Sequence, residues 1–165
     1  MMKFEDLVKQ RRSIRKYSKR IPKDEVIEKI LAAGTWAPSG LNNQPWKFKL
    51  VQEKAKKQGL AEFTKYSRVI EQAPLAICVF LDNTATYNRV KDIQAIGACI
   101  QNILLQADQL GLGACWLGEI LNRSQEVEKY LEIDDDYELM AVITLGYPDQ
   151  QLTKGCRKKL KSFIL

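Results

Sequence analysis

The chain contains no histidine. That absence removes Ser-His-Asp and Cys-His nucleophilic catalysis, the H-E-x-x-H zinc site and every acid–base scheme built on an imidazole. Cysteine is scarce too: Cys78, Cys99, Cys115 and Cys156 lie far apart, and no two form a C-x-x-C pair. This spacing argues against a zinc ribbon or a thioredoxin-like motif, so no metal site is expected. Three of the four sit in apolar contexts that suit buried free thiols. Cys115 has no basic or histidine activator within sequence reach and is read as structural. Long apolar runs are missing as well. PLAICVFL, among the longest, falls well short of the roughly 18 residues of a membrane span. MMKFEDLVKQ carries charge from its third residue onward, unlike a signal peptide, and the expected location is the cytoplasm. No Walker A sequence occurs, and LGLGACWLG lacks the G-x-G-x-x-G spacing of a dinucleotide fingerprint. A bound phosphate would need some other cradle.

What is present fits an ordinary globular chain. The 165 residues are 45% hydrophobic and 28% charged, without internal repeat or linker, which points to a single domain over 1–165. The net charge of +6 is unevenly placed. Residues 9–20 (KQRRSIRKYSKR) and 154–161 (KGCRKKLK) hold twelve of the 26 basic residues and no acid. The remainder, with 14 basic and 20 acidic residues, is net negative. A mainly acidic protein with two basic segments suggests an anion held at one place.

Hydrophobic periodicity gives a coarse map. Phe4, Leu7 and Val8 predict a short amphipathic helix ending near the RRS triplet. A second helix is predicted from Pro22, with Asp24 and Glu25 opposing its dipole and Val26, Ile27, Ile30 and Leu31 forming its apolar stripe. WKFKLVQ (46–52) alternates like a strand, 54–72 is weakly helical, and PLAICVFLD (74–82) reads as a buried strand. Residues 92–110 keep helical period with apolar residues nearly all round, so this helix is expected at the centre of the fold or at a subunit interface. LGLGACWLGEI predicts a strand and turn. Ser124 is placed to cap a helix with Val127, Tyr130 and Leu131 inward. ELMAVITLGYP is a further buried strand, and the terminal LKSFIL reads as a possible short one. Helices and strands mix without strict βαβ alternation, which indicates an α+β fold.

Three stretches carry candidate chemistry. RRSIRKY (11–17) offers Arg11, Arg12 and Arg15 with the Ser13 hydroxyl, a donor set suited to a phosphate monoester, although a charge run can equally be a solvated surface. Arg157, Lys158 and Lys159 form a second basic group able to share that anion if the fold joins the two. APSGLNNQPW (37–46) crowds Ser39, Asn42, Asn43 and Gln44 into one connection, with about eleven donor and acceptor sites, more than a tight turn consumes. In CWLGE (115–119), Gly118 would let a planar ligand approach the backbone, or else simply turn the chain with Trp116 in the core.

In content and order these segments resemble the nitroreductase family of FMN-dependent oxidoreductases: RRSIRKY, APSGLNNQPWKF, DIQAIGACIQNILLQADQLGLGACWLG, then GYP and a basic RKKL. The resemblance covers nearly the whole chain. It implies a central, mostly antiparallel sheet flanked by helices, in an interlocked homodimer with FMN at the subunit interface. By that resemblance Arg11, Arg12, Ser13 and Arg15 hold the phosphate, ribityl chain or ring edge, with Arg157 and Lys158 completing the phosphate site. Pro38, Ser39, Gly40 and Asn42 would reach the flavin of the other subunit, Leu117 and Gly118 would lie against its ring, and Lys65 or Arg68 would meet the pyrimidine edge. No catalytic side chain is implied, because the flavin carries the chemistry. NADH or NADPH would be the electron donor and an electron-poor small molecule, such as a nitroaromatic or quinone, the acceptor, in ping-pong order. The shortened 83–91 connection would leave the pocket open, or covered by 54–72.

Two other readings stand beside this one. An FMN-binding protein with little turnover would share the fold. A basic nucleic-acid-binding module would use the arginine-rich segment, but no helix-turn-helix or aromatic stacking platform accompanies it, so no nucleic acid partner is expected.

Overall fold

The structure is a computed structural model that describes residues 3–152 and 154–165. The helices are α1 (Phe4–Gln10), α2 (Asp24–Thr35), α3 (Lys54–Ala61), α4 (Ser67–Gln72), α5 (Arg89–Gln109) and α6 (Ser124–Tyr130). The strands are β1 (Trp46–Val51), β2 (Leu75–Asp82), β3 (Gly113–Leu117) and β4 (Tyr137–Gly146). They form one sheet in the order β1-β2-β4-β3, antiparallel at every step, so the expected α+β architecture with an antiparallel sheet is present.

Both faces of the sheet are covered, which explains the unbroken apolar run of β2. Leu75, Ile77, Val79 and Leu81 point to one layer, where they meet Ile27 and Ile30 of α2 and Ile96, Cys99, Ile100 and Ile103 of α5. Ala76, Cys78 and Phe80 point to the other, among Leu60, Val69, Ile70 and Val127. The long α5 is capped by the Asn88 side chain, which accepts a hydrogen bond from the Lys91 N–H, and starts three residues ahead of the apolar pattern. No helix of the described residues is long and apolar enough to cross a membrane.

Local expectations differ from the structure in four places. Pro22 precedes α2, whose first helical residue is Asp24. Ser124 does not cap α6: the 3-10 turn Glu119–Arg123 runs straight into that helix, so Ser124 already has helical φ and ψ. Tyr130 is exposed, its hydroxyl donating to the Lys56 carbonyl and its ring lying beside Phe63. The LKSFIL segment makes a 3-10 turn, Leu160–Phe163, and leaves Leu160, Phe163, Ile164 and Leu165 exposed.

Candidate functional site

The two basic segments meet. Ser13 forms a parallel bridge with Ala114 of β3, and the Ile14 N–H donates to the Ala114 carbonyl, which draws the RRS triplet against the sheet. Arg11, Arg12, Ser13, Arg15 and Arg157 then line one small cavity of about 220 Å³ with no acidic residue among them. A larger hollow of about 630 Å³ adjoins it, sharing Arg11, Arg12 and Arg157 and adding Lys9, Gln101 and Lys154. Lys158 is exposed and lines neither. The cations are not equivalent. Arg12 donates to the carbonyls of Lys9 and Arg11 and packs against Gly155, where a Cβ would meet its guanidinium. Gln150 accepts from the N–H groups of Arg15 and Lys16, a second tie that the sequence did not single out. Among the described residues, Arg11 and Arg157 have no acidic partner. Uncompensated cations converging on one cavity suit an anion such as a phosphate monoester.

Cys115 lies next to this cavity but below the surface. Burial pushes its thiol up, and Arg15, a hydrogen bond with Ser13 and Arg11 only partly oppose that. The structure thus supplies the nearby cations that the local sequence lacks, without making the thiol accessible.

Ala114 and Gly118 are four residues apart, about 13 Å at the rise of a strand. Gly118 is exposed, and a Cβ there would meet nothing within 4 Å, so its backbone faces open space. The Leu117 side chain is buried in the second core layer, which leaves its backbone for any ligand. Trp116 points the other way and is 42% exposed, not in the core. Glu119 accepts from the Thr64 hydroxyl at 2.7 Å and the Lys65 N–H at 3.0 Å, and these bonds hold its carboxyl below the usual range. The clamp ties the Lys65 turn to the residue after Gly118, whereas Arg68 lies on the exposed side of α4. Sequence reasoning missed Glu119 and Thr64, since their contact joins positions 55 residues apart.

The 38–44 loop lies elsewhere. Pro38, Ser39 and Gly40 line a hollow of about 290 Å³ with Lys91, Gln94, Ala95 and Ala98 of α5. The hollow that this loop lines shares no residue with the two cavities of the basic cluster. Leu41, Asn42 and Gln44 all have positive φ (55°, 56° and 48°), a conformation that costs non-glycine residues roughly 1–2 kcal/mol each. The loop is pinned from within: the Asn43 amide donates to Asp92 and to the Ala85 carbonyl, the Gln44 N–H to Ser39 Oγ, and the Gln44 amide to the Asn42 carbonyl. Asp92, fully buried, also accepts from the N–H groups of Tyr87 and Asn88. Much of the polar surplus in APSGLNNQPW is therefore spent on its own fold. The Asn42 side chain is not: it is exposed and has no partner among the described residues. Trp36 and Leu41 beside it are 87% and 85% exposed.

Known proteins share this fold. The nitroreductase family profile matches residues 8–66 and 62–147. A "Putative NADH dehydrogenase/NAD(P)H nitroreductase" of Methanothermobacter thermautotrophicus is 35% identical over 87% of this chain and 76% of its own length. A relative of the same description from Archaeoglobus fulgidus is 37% identical over 86% of this chain and 83% of its own. Among solved structures, a "putative nitroreductase in complex with FMN" from Desulfovibrio desulfuricans superposes with a TM-score of 0.94 at 42% identity, covering 98% of this chain and 94% of that one. The fold and these matches define a flavin-type oxidoreductase class. The chain belongs to the nitroreductase family.

Proposed function

We propose that this chain is an FMN-dependent oxidoreductase that passes reducing equivalents from NADH or NADPH to an electron-poor acceptor such as a nitroaromatic or quinone. The observation that carries the reading is the convergence of Arg11, Ser13, Arg15 and Arg157 on one acid-free cavity beside β3. When bound, FMN supplies a centre that takes a hydride from the donor and returns two electrons to the acceptor. For a nitro group the net exchange is R–NO₂ + NAD(P)H + H⁺ → R–NO + NAD(P)⁺ + H₂O. Donor and acceptor use one cavity in turn, which is ping-pong order.

The chain's own residues bind and orient. Arg11 and Arg157 neutralise the phosphate, Ser13 and Arg15 add donors, and Arg12 packs against the tail that carries Arg157. The backbone at Leu117 and Gly118 offers an N–H to the ring, with Glu119 holding Lys65 at the same end. Because the 38–42 loop and the basic cluster lie apart in one chain, the loop that completes a site comes from a second copy. The exposed Trp36, Leu41, Phe163 and Ile164 and the unmatched Asn42 amide are consistent with such a homodimer.

Reversing two of the phosphate-binding charges tests the reading. Arg11→Glu with Arg157→Glu is expected to abolish FMN retention on gel filtration, because attraction to a nearly dianionic group becomes repulsion. The exposed Lys54 and Lys56, reversed together, serve as the control. Flavin content at the wild-type level in the first variant rejects the site. Bleaching of the yellow wild-type protein by NADH or NADPH without oxygen supports turnover, and its failure leaves a flavin-binding protein only.

A further inference from the structure

A carboxylate is costly to bury without a counter-charge. Asp92 is fully buried, and among the described residues it belongs to no ion pair. Its two oxygens divide their donors between two segments. Oδ2 accepts from the N–H groups of Tyr87 and Asn88 at 3.1 and 3.0 Å, which fastens the 83–88 connection to the first turn of α5. Oδ1 accepts from the Asn43 amide at 2.8 Å, and the same amide nitrogen donates to the Ala85 carbonyl at 3.0 Å. Both neighbours of that nitrogen are acceptors, so only a donor suits the position.

Asn43 itself has an ordinary backbone conformation, with φ at −72°, but Leu41 and Asn42 before it and Gln44 after it all have positive φ. Backbone of this kind persists only where its surroundings over-determine it. Among the described residues, the side-chain bonds of Asn43 are the ones that leave the loop, while those of Gln44 and Ser39 stay within it. Tyr87, whose N–H Asp92 holds, packs its phenol on Gly40, where a Cβ would meet the hydroxyl. One carboxylate thus acts on the loop at Asn43 and, through Tyr87, at Gly40.

We infer that Asp92, acting through Asn43, is a positioning residue for the cofactor: it fixes the backbone of 39–42 in the form that meets the FMN of the other subunit. The inference rests on the proposed flavin reading, in which Ser39, Gly40 and Asn42 reach that FMN. Asp92 is buried and touches no ligand itself. Without its bond to Asn43, the residues at positive φ relax toward ordinary backbone, and the polar groups of Ser39 and Asn42 leave their places. FMN binding then has to reorder the loop, and affinity falls by that ordering cost.

FMN affinity measured beside stability separates this role from a merely structural one, by titrating flavin-stripped protein with FMN and melting the same samples. Asn43→Ala should raise the Kd for FMN about tenfold or more. Asn43→Asp, which sets an oxygen against Asp92 and the Ala85 carbonyl, should raise it further. Asn88→Ala is the control: it removes the α5 cap but keeps the Asn88 N–H bond to Asp92, so it should lower Tm with Kd within about twofold of wild type. In an Asn42→Ala background, where one positioned group is already gone, the effect of Asn43→Ala on Kd should be about threefold smaller or less. A Kd within twofold of wild type in Asn43→Ala, an equal rise in Asn88→Ala, or the same fold-loss in both backgrounds overturns the positioning role and leaves the flavin reading intact. Wild-type protein that binds no FMN overturns both.

Discussion

Cys115 illustrates how a single residue is decided by burial. It lies beside two arginines and a serine, surroundings that in an open cleft would favour a thiolate, yet it is only 1% exposed and its thiol is pushed up. Cys78 and Cys99 are pushed up further, to about 12, by burial. Thiolate is the reactive form, so all three should be inert near neutral pH. Replacing Cys115 with Ala should leave the rate of flavin reduction by NAD(P)H within about tenfold of wild type, a barrier change of about 1.4 kcal/mol at most. Stopped-flow bleaching measures this. A fall of several orders of magnitude with flavin still bound would place the thiol in the chemistry.

At the scale of elements, Lys57 joins α3 to the turn between α4 and β2. Its side chain is buried, and its ammonium donates to the carbonyls of Ala73 and Pro74 with no ion-pair partner among the described residues. Burial lowers its pKa, so the unfolded chain binds the proton more tightly than the folded one. Stability should therefore rise with pH between the lowered folded value and the ordinary 10.5. Lys57→Glu sets a carboxylate against two carbonyls and leaves them unpaired. A loss of about 3 kcal/mol, or roughly 5–10 °C in Tm, is expected. A Tm within about 2 °C of wild type in a calorimetric or fluorescence melt would show that the contact is dispensable. The same burial makes Lys57 unsuitable as a surface-charge control, although its sequence neighbours Lys54 and Lys56 qualify.

At the scale of the whole molecule, the proposed homodimer would share each flavin site between two chains. Consider one chain carrying Arg11→Glu and Arg157→Glu, and a second carrying Ser39→Trp and Asn42→Trp. Each homodimer should be empty. In a mixed dimer one site inherits both defects and the other neither. Random pairing makes about half of the dimers mixed, so roughly one quarter of all sites should regain FMN. In the purified, doubly tagged heterodimer, about one flavin per two chains is expected. None would mean that the loop acts within its own chain.

Local pattern was enough for much of this protein. The β2 run was legible as a buried strand because both faces are covered and every residue before Asp82 is apolar, and α5 was legible because its apolar residues almost encircle it. The RRS triplet and the 154–161 cations were legible as two basic segments by charge alone. Capping and exposure at Ser124, Tyr130 and Trp116 were not legible, since they depend on a preceding 3-10 turn and on which layer a side chain meets. Nor was the use of APSGLNNQPW: its amides satisfy Asp92 and one another, a demand set by a carboxylate 49 positions from Asn43. Motif content and order thus carried the resemblance to the family, and charge placement carried the basic segments, because both are local in the chain. Tertiary structure alone decided that Arg157 meets Arg11, that Glu119 clamps the Lys65 turn and that Tyr87 seals Gly40. Each joins residues far apart in the chain, and only packing brings them together.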